Sequence, residues 1–161
     1  AVLLALVLGC AHGEVRNGVY VAPEGRYRVR LPVGAWDRVS VKGADLVVAS
    51  RDRGATILAG SHCDRYADAK LDVLARNLFI GATRRRFLGA ERVTLPAGKA
   101  ERLDLRATID AIPLRGEAYT LRKKPCILDF VYLAVPERFE ENLQTFRAMM
   151  ETLRLGDGVS K

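Results

Sequence analysis

With 161 residues, 49% of them hydrophobic and 28% charged, the chain has the size and composition of one ordered domain with one core. That mixture excludes an intrinsically disordered chain, and no internal repeat or low-complexity segment interrupts it. Twenty-six basic against nineteen acidic residues give a net charge of +7, which favours contact with anionic surfaces such as lipid head groups, lipopolysaccharide and acidic polymers.

The chain opens on AVLLALVLGCAHGE, apolar without a break from Ala1 to Gly9 and polar from His12 onward. This run is too short to cross a hydrocarbon core, which takes about twenty residues of helix. Its length suits the apolar region of a secretory signal. Val7-Leu8-Gly9-Cys10 resembles the lipobox of bacterial lipoproteins, with small Gly9 directly before the cysteine. The resemblance implies cleavage between Gly9 and Cys10, diacylglycerol on the Cys10 thiol and acylation of the new amino terminus. Several acyl chains, at about 0.8 kcal/mol per buried methylene, anchor durably where one chain is marginal. No initiator Met and no Lys or Arg precedes the run, so residues 1–9 read as the remnant of a signal peptide, truncated or with its start misassigned. The competing reading is a hydrophobic N-terminal strand with an incidental cysteine. A lipidated tether over 10–18, one globular domain over 19–155 and a flexible tail over 156–161 follow. An exported chain rarely meets nucleic acid, so none is expected as a partner despite the charge.

GRYRVRLPVGAW alternates strictly, with Tyr27, Val29 and Leu31 on one side and Arg26, Arg28 and Arg30 on the other. This is a half-buried strand that Pro32 and Gly34 end. Asp45 to Ser50 and Ala55 to Ala59 form further short strands around the turn Asp52-Arg53-Gly54. Over Ala67 to Ile80 the period changes: Leu71, Leu74, Ala75 and Leu78 share a helix face. Asp64 or Asp68 is placed to cap it and Gly81 to supply a left-handed stop. Three strands come next. Leu103, Leu105, Ala107 and Ile109 alternate with polar residues, and Arg115 to Arg122 pairs with them through a hairpin at Ala111-Ile112-Pro113. CILDFVYLAV, Cys126 to Val135, has the apolar content of a central strand covered on both faces. Pro136 starts the clearest helix, Glu137 to Leu153, whose Phe139, Leu143, Phe146, Met150 and Leu153 form one stripe. Strands in runs with two segregated helices predict an α+β fold, an antiparallel β-sheet with helices packed on it.

RLPVGAW at the end of the first strand and CILDFVYLAVPERFEENLQTFRAMMETLRL at the close of the chain carry a resemblance. Through Leu31, Pro32, Gly34, Trp36, Tyr132, Phe139, Phe146, Met150 and Leu153 they resemble the PsbP-like fold. The photosystem extrinsic protein, the Mog-type Ran-binding import factor and many small bacterial exported proteins share it. The resemblance spans roughly Tyr20 to Leu155 and is a pattern of apolar positions. It implies α-β-α layers and a binding or assembly module, not an enzyme, without naming the partner.

Reactive residue types cluster only in GSHCD, Gly60 to Asp64. Adjacent strand residues point to opposite faces, so His62 is poorly placed to serve Cys63 as a base. As a metal site the cluster lacks partner ligands at any recognised spacing, and His12 lies in the tether, so no metal or cofactor is expected. Cys63 and Cys126 make an even count in an oxidising compartment, and a disulfide between them would contribute about 4 kcal/mol by closing its loop. Two buried free thiols too far apart to join are the alternative. Asp129 interrupts an apolar strand. It is either a buried acid with a raised pKa or, more ordinarily, a residue facing water or pairing with an arginine from a neighbouring strand. The dense basic runs Arg84-Arg85-Arg86 and Arg122-Lys123-Lys124 are candidate anion-binding sites on a solvated loop or face.

Three functions compete. The first is a membrane-anchored, non-enzymatic module for a protein complex, which expects an exposed apolar or mixed patch and no cleft with converging polar groups. The second is a binder of anionic lipid, lipopolysaccharide or envelope polymer, which expects the two basic runs to meet on one face. The third is a hydrolase or thiol enzyme around His62 and Cys63, which expects both side chains in one pocket.

Overall fold

The computed structural model describes residues 13–52, 54–63 and 68–157. Cys10, the apolar run before it and the candidate cap Asp64 lie outside the described residues. In chain order, strands β1 (Glu14–Arg16), β2 (Val19–Val21) and β3 (Tyr27–Arg30) precede β4 (Trp36–Arg38), β5 (Leu46–Ser50) and β6 (Ala55–Cys63). Helix α1 (Leu71–Asn77) leads to β7 (Thr83–Leu95), β8 (Gly98–Ile109), β9 (Ile112–Lys123) and β10 (Cys126–Ala134). A 3-10 turn at Pro136–Arg138 enters helix α2 (Phe139–Glu151), and β11 (Arg154–Leu155) follows.

The strands make two antiparallel sheets. Seven run in the order β4-β5-β6-β10-β9-β8-β7, and four in the order β1-β2-β3-β11. The chain leaves β6, crosses one face of the large sheet as α1, reaches the far edge at β7 and winds back to β10 beside β6. This is the expected α+β architecture, with β10 fourth of seven and covered on both faces.

The alternation of β10 decides what each face holds. Leu128, Phe130 and Tyr132 point into the main core, where α2 brings Phe139, Leu143, Phe146 and Met150 and the small sheet brings Tyr20, Tyr27 and Val29. Tyr27 meets Phe130 edge-on at 5.1 Å, and Tyr132 stacks on Phe146 at 5.6 Å. Each buried phenol has a partner: Tyr132 donates to the Phe139 carbonyl at 2.8 Å and Tyr20 to the Asp45 carbonyl at 2.6 Å. Glu117 is only 1% exposed on this face. Arg147 of α2 bonds both of its oxygens at 3.0 and 2.6 Å, and the Tyr119 hydroxyl donates to it at 3.0 Å, which offsets the cost of burying the charge. Cys63 and Cys126 stand directly opposite each other on β6 and β10 and form a disulfide. The other face carries a smaller cluster, Ala75 and Phe79 against Leu103, Leu105, Ala107 and Ala118.

Several expectations are corrected. Part of the expected tether is β1, hairpinned to β2 through Asn17 and Gly18, both at positive φ (50° and 72°) as a type I′ turn requires. Helix α1 is shorter than expected: Lys70 occupies its N-cap without a side-chain bond, Asp68 does not cap it, and Gly81 is not left-handed. The β8–β9 hairpin turns at Asp110 and Ala111, both at positive φ, and Ile112 and Pro113 already belong to β9. Four strands lie between α1 and α2 rather than three, because Arg84 to Arg86 lie on edge strand β7 and not on a loop. At the far end Leu155 pairs with Tyr27 and the Gly156 amide donates to the Arg26 carbonyl at 2.9 Å, so the chain stays attached past the expected start of the tail.

Candidate functional site

On the α1 side the large sheet is only partly covered, because α1 is two turns long and packs against β8 and β9. Over β6 and β10 this leaves a cleft of about 360 Å³, near the small end of the range for ligand pockets. Leu74, Leu78 and Ile80 wall it from the helix and the turn after it, and Ile127 faces them from β10. His62, Asp129 and Asn77 supply its polar groups.

Strand register assembles the polar end. His62 pairs with Ile127, and Asp129 pairs with Gly60 on one side and Thr120 on the other. His62 and Asp129 are therefore diagonal neighbours on one face. Gly60 presents no side chain there. A Cβ at that position would meet only His62 Nε2, at 3.9 Å, so the flank of Asp129 stays open. Asp129 is 7% exposed, and its Oδ1 accepts a 2.8 Å bond from the Thr120 hydroxyl. Its Oδ2 lies 3.8 Å from His62 Nε2, too far for a hydrogen bond, and the His62 side chain is 48% exposed. Burial pushes the Asp129 carboxyl up to about 6, against the opposing pull of the Thr120 bond and His62. The expected water-facing or arginine-paired carboxylate is thus corrected: Asp129 is buried and bonded to a threonine.

Cys63 belongs to the opposite face and is bonded to Cys126, so it offers no thiolate. That corrects the thiol-enzyme reading, which required a free Cys63 in one pocket with His62. The cleft also corrects the expectation that the domain would lack converging polar groups. What the arrangement can do is accept: one carboxylate oxygen and one imidazole nitrogen face an apolar-walled space. Among the described residues, no group of three or more His, Cys, Asp or Glu is placed to hold a metal ion.

The two basic runs do not meet. Arg86 stands opposite Arg106, which pairs with Arg115, whereas Arg122 pairs with Ile127 at the other end of β9. At about 3.3 Å per residue, roughly 20 Å of strand separates the two rows. The Arg122 guanidinium also donates to the Ala69 carbonyl.

No protein-family model matches the chain, and no curated protein does. Solved structures match its fold. Cyanobacterial PsbP (CyanoP) from Synechocystis sp. PCC 6803 superposes with a TM-score of 0.65 at 14% identity, over 92% of this chain and 95% of that one. The Ran-binding protein Mog1p of Saccharomyces cerevisiae gives 0.60 at 12% identity, over 89% and 97%. LpqN of Mycobacterium tuberculosis, described as involved in cell envelope biogenesis, gives 0.60 at 14%, over 81% and 84%. The fold is PsbP-like. At these identities the likeness concerns the fold alone.

Proposed function

We propose that this chain is an exported, membrane-anchored, non-enzymatic binding module that helps assemble or stabilise a protein complex, using the α1 side of its large sheet. The carrying observation is the α1 cleft: apolar walls left open next to Ile80, which is 73% exposed, on a sheet whose other face is sealed. The lipobox-like Val7 to Cys10 supports the anchor, and Mog1p, a Ran-binding protein of the same fold, supports a binding role. In-cell crosslinking of the anchored protein beside a Cys10→Ser control tests it. The expected result is one protein partner crosslinked at the cleft rim and lost in the control. Recovery of lipid or envelope polymer alone, released by salt, sinks the assembly reading.

A second reading has its own observation. Arg86 and Arg106 face each other across β7 and β8, and neither has an ion pair among the described residues. Like charges directly opposite are unfavourable unless an anion sits between them. That pair supports binding of anionic lipid, lipopolysaccharide or envelope polymer at the β7 edge, separately from Arg122, Lys123 and Lys124.

A further inference from the structure

We infer that the α1 cleft recognises a lysine side chain of the protein partner, its ammonium seated between Asp129 and His62 and its stem along Leu74, Leu78 and Ile127. This rests on the binding-module reading and names the chemistry of its contact.

The sign of the ligand comes from the deepest polar group. Asp129 is a buried carboxylate facing an apolar-walled space, so an anionic ligand would set like charges together where little water screens them. A cation with hydrogen-bond donors offsets the cost of burying that carboxylate. The choice between lysine and arginine comes from oxygen supply. Oδ1 already accepts from the Thr120 hydroxyl, and Oδ2 is the oxygen without a hydrogen bond among the described residues. A guanidinium gains most from two parallel bonds to both oxygens of one carboxylate, whereas an ammonium is a point donor that needs one.

The second acceptor is His62. Its Nε2 and Asp129 Oδ2 are 3.8 Å apart, too far to bond each other and close enough for one nitrogen to stand about 2.9 Å from both. With its proton on Nδ1 a neutral imidazole accepts at Nε2, and in that tautomer an ammonium can donate to Oδ2 and Nε2 and keep its third donor for solvent. Four methylenes then lie along aliphatic walls, which is how a lysine stem is ordinarily covered when its head is held. Burial raises the Asp129 carboxyl, and a cation beside it would oppose that rise by favouring the charged form.

The test uses the full chain and n-butylammonium as probe, with butyrate, butanol and n-butylguanidinium as comparators, read by chemical-shift changes at His62, Ile127 and Asp129. Butylammonium is expected to bind at these residues, more tightly than the guanidinium, with butyrate silent. Asp129→Asn keeps an acceptor for Thr120 and should weaken butylammonium about tenfold or more, with resonances on the α2 face unmoved. Gly60→Val fills the open flank while sparing Asp129, and should abolish binding. Equal binding of butanol, binding of butyrate, or no shift at all overturns the proposal. In-cell crosslinking separates the two levels. A partner lost with Gly60→Val but kept with Asp129→Asn removes the lysine and leaves the module, whereas a partner kept with both removes the cleft as its contact and the inference with it.

Discussion

The two faces of β10 are built from alternate residues of one nine-residue strand, and they do different work. Toward α2, Leu128, Phe130 and Tyr132 enter a core closed by aromatic contacts, the buried Glu117 carboxylate bonded to half-buried Arg147, and a disulfide. Toward α1, Ile127, Asp129 and Val131 meet a helix of seven residues that covers the sheet only in part. A strand fixed on one side can carry a buried carboxylate on the other, because the register that places Asp129 is held by packing it does not share. The core that stabilises the sheet and the proposed binding site thereby lie on opposite sides of its thickness.

The largest effect expected from that comparison is on the closed face. Phe146 is fully buried, with ring centres 5.6 Å from Tyr132 and 5.7 Å from Tyr119. Phe146→Ala should cost about 4 kcal/mol in denaturant unfolding, from lost transfer energy and a cavity between rigid rings. Leu78→Ala, on the half-covered face, should cost about 1 kcal/mol, since less apolar area returns to water. Equal losses would break the contrast between the faces.

A smaller effect concerns Asp129. Its folded-state pKa of about 6 stands above the usual carboxylate value of 3.8. Between those values the native state binds more protons than the unfolded chain, so stability falls as pH rises through the window, and the penalty is complete above it. The charged or titratable groups in its row and beside it on this face include His62 on β6, Arg122 on β9, Glu101 on β8 and Arg92 on β7, which pairs with Glu101, while α1 contributes uncharged Leu74, Asn77 and Leu78 to the cleft. Asp129→Asn removes the titration and keeps the threonine bond. Its stability relative to the native sequence should climb by on the order of 2 kcal/mol between pH 4 and pH 7. A flat difference across that range would mean that Asp129 is not buried as described.

How much of this was legible in the sequence follows the same division. The closed face announces itself by period: Tyr27 and Val29 on β3, the even positions of β10 and the stripe on α2 bury apolar groups at regular spacing. Edge strand β7 does not, since most of its residues are exposed and its TRRRFLGAERVTL shows no apolar side. It exists because β8 offers a ladder, a tertiary cause that a local pattern cannot carry. The β1–β2 hairpin did leave a signal, Asn17-Gly18, the dipeptide that favours a tight hairpin turn. The cleft is hidden in the sequence because His62 and Asp129 lie on strands far apart along the chain and no local pattern links them. The disulfide held the missing information. Once Cys63 is set opposite Cys126 on antiparallel strands, His62 falls opposite Ile127 and Gly60 opposite Asp129, on the face away from the sulfurs.

The smallest stability effect is the sharpest probe of the open face. Ile80 stands in the turn after α1 at 73% exposure, lining the cleft without belonging to either hydrophobic cluster. An exposed side chain outside the core should be replaceable within about 0.5 kcal/mol, so Ile80→Ser should unfold at the same denaturant concentration as the native sequence. Its crosslinked partner yield should nevertheless drop severalfold, because an apolar rim excludes water from the contacts it surrounds. A matching loss of stability would assign Ile80 to the fold, and an unchanged yield would remove the rim from the interface. A loss of partner without a loss of stability is the result that only a binding surface produces.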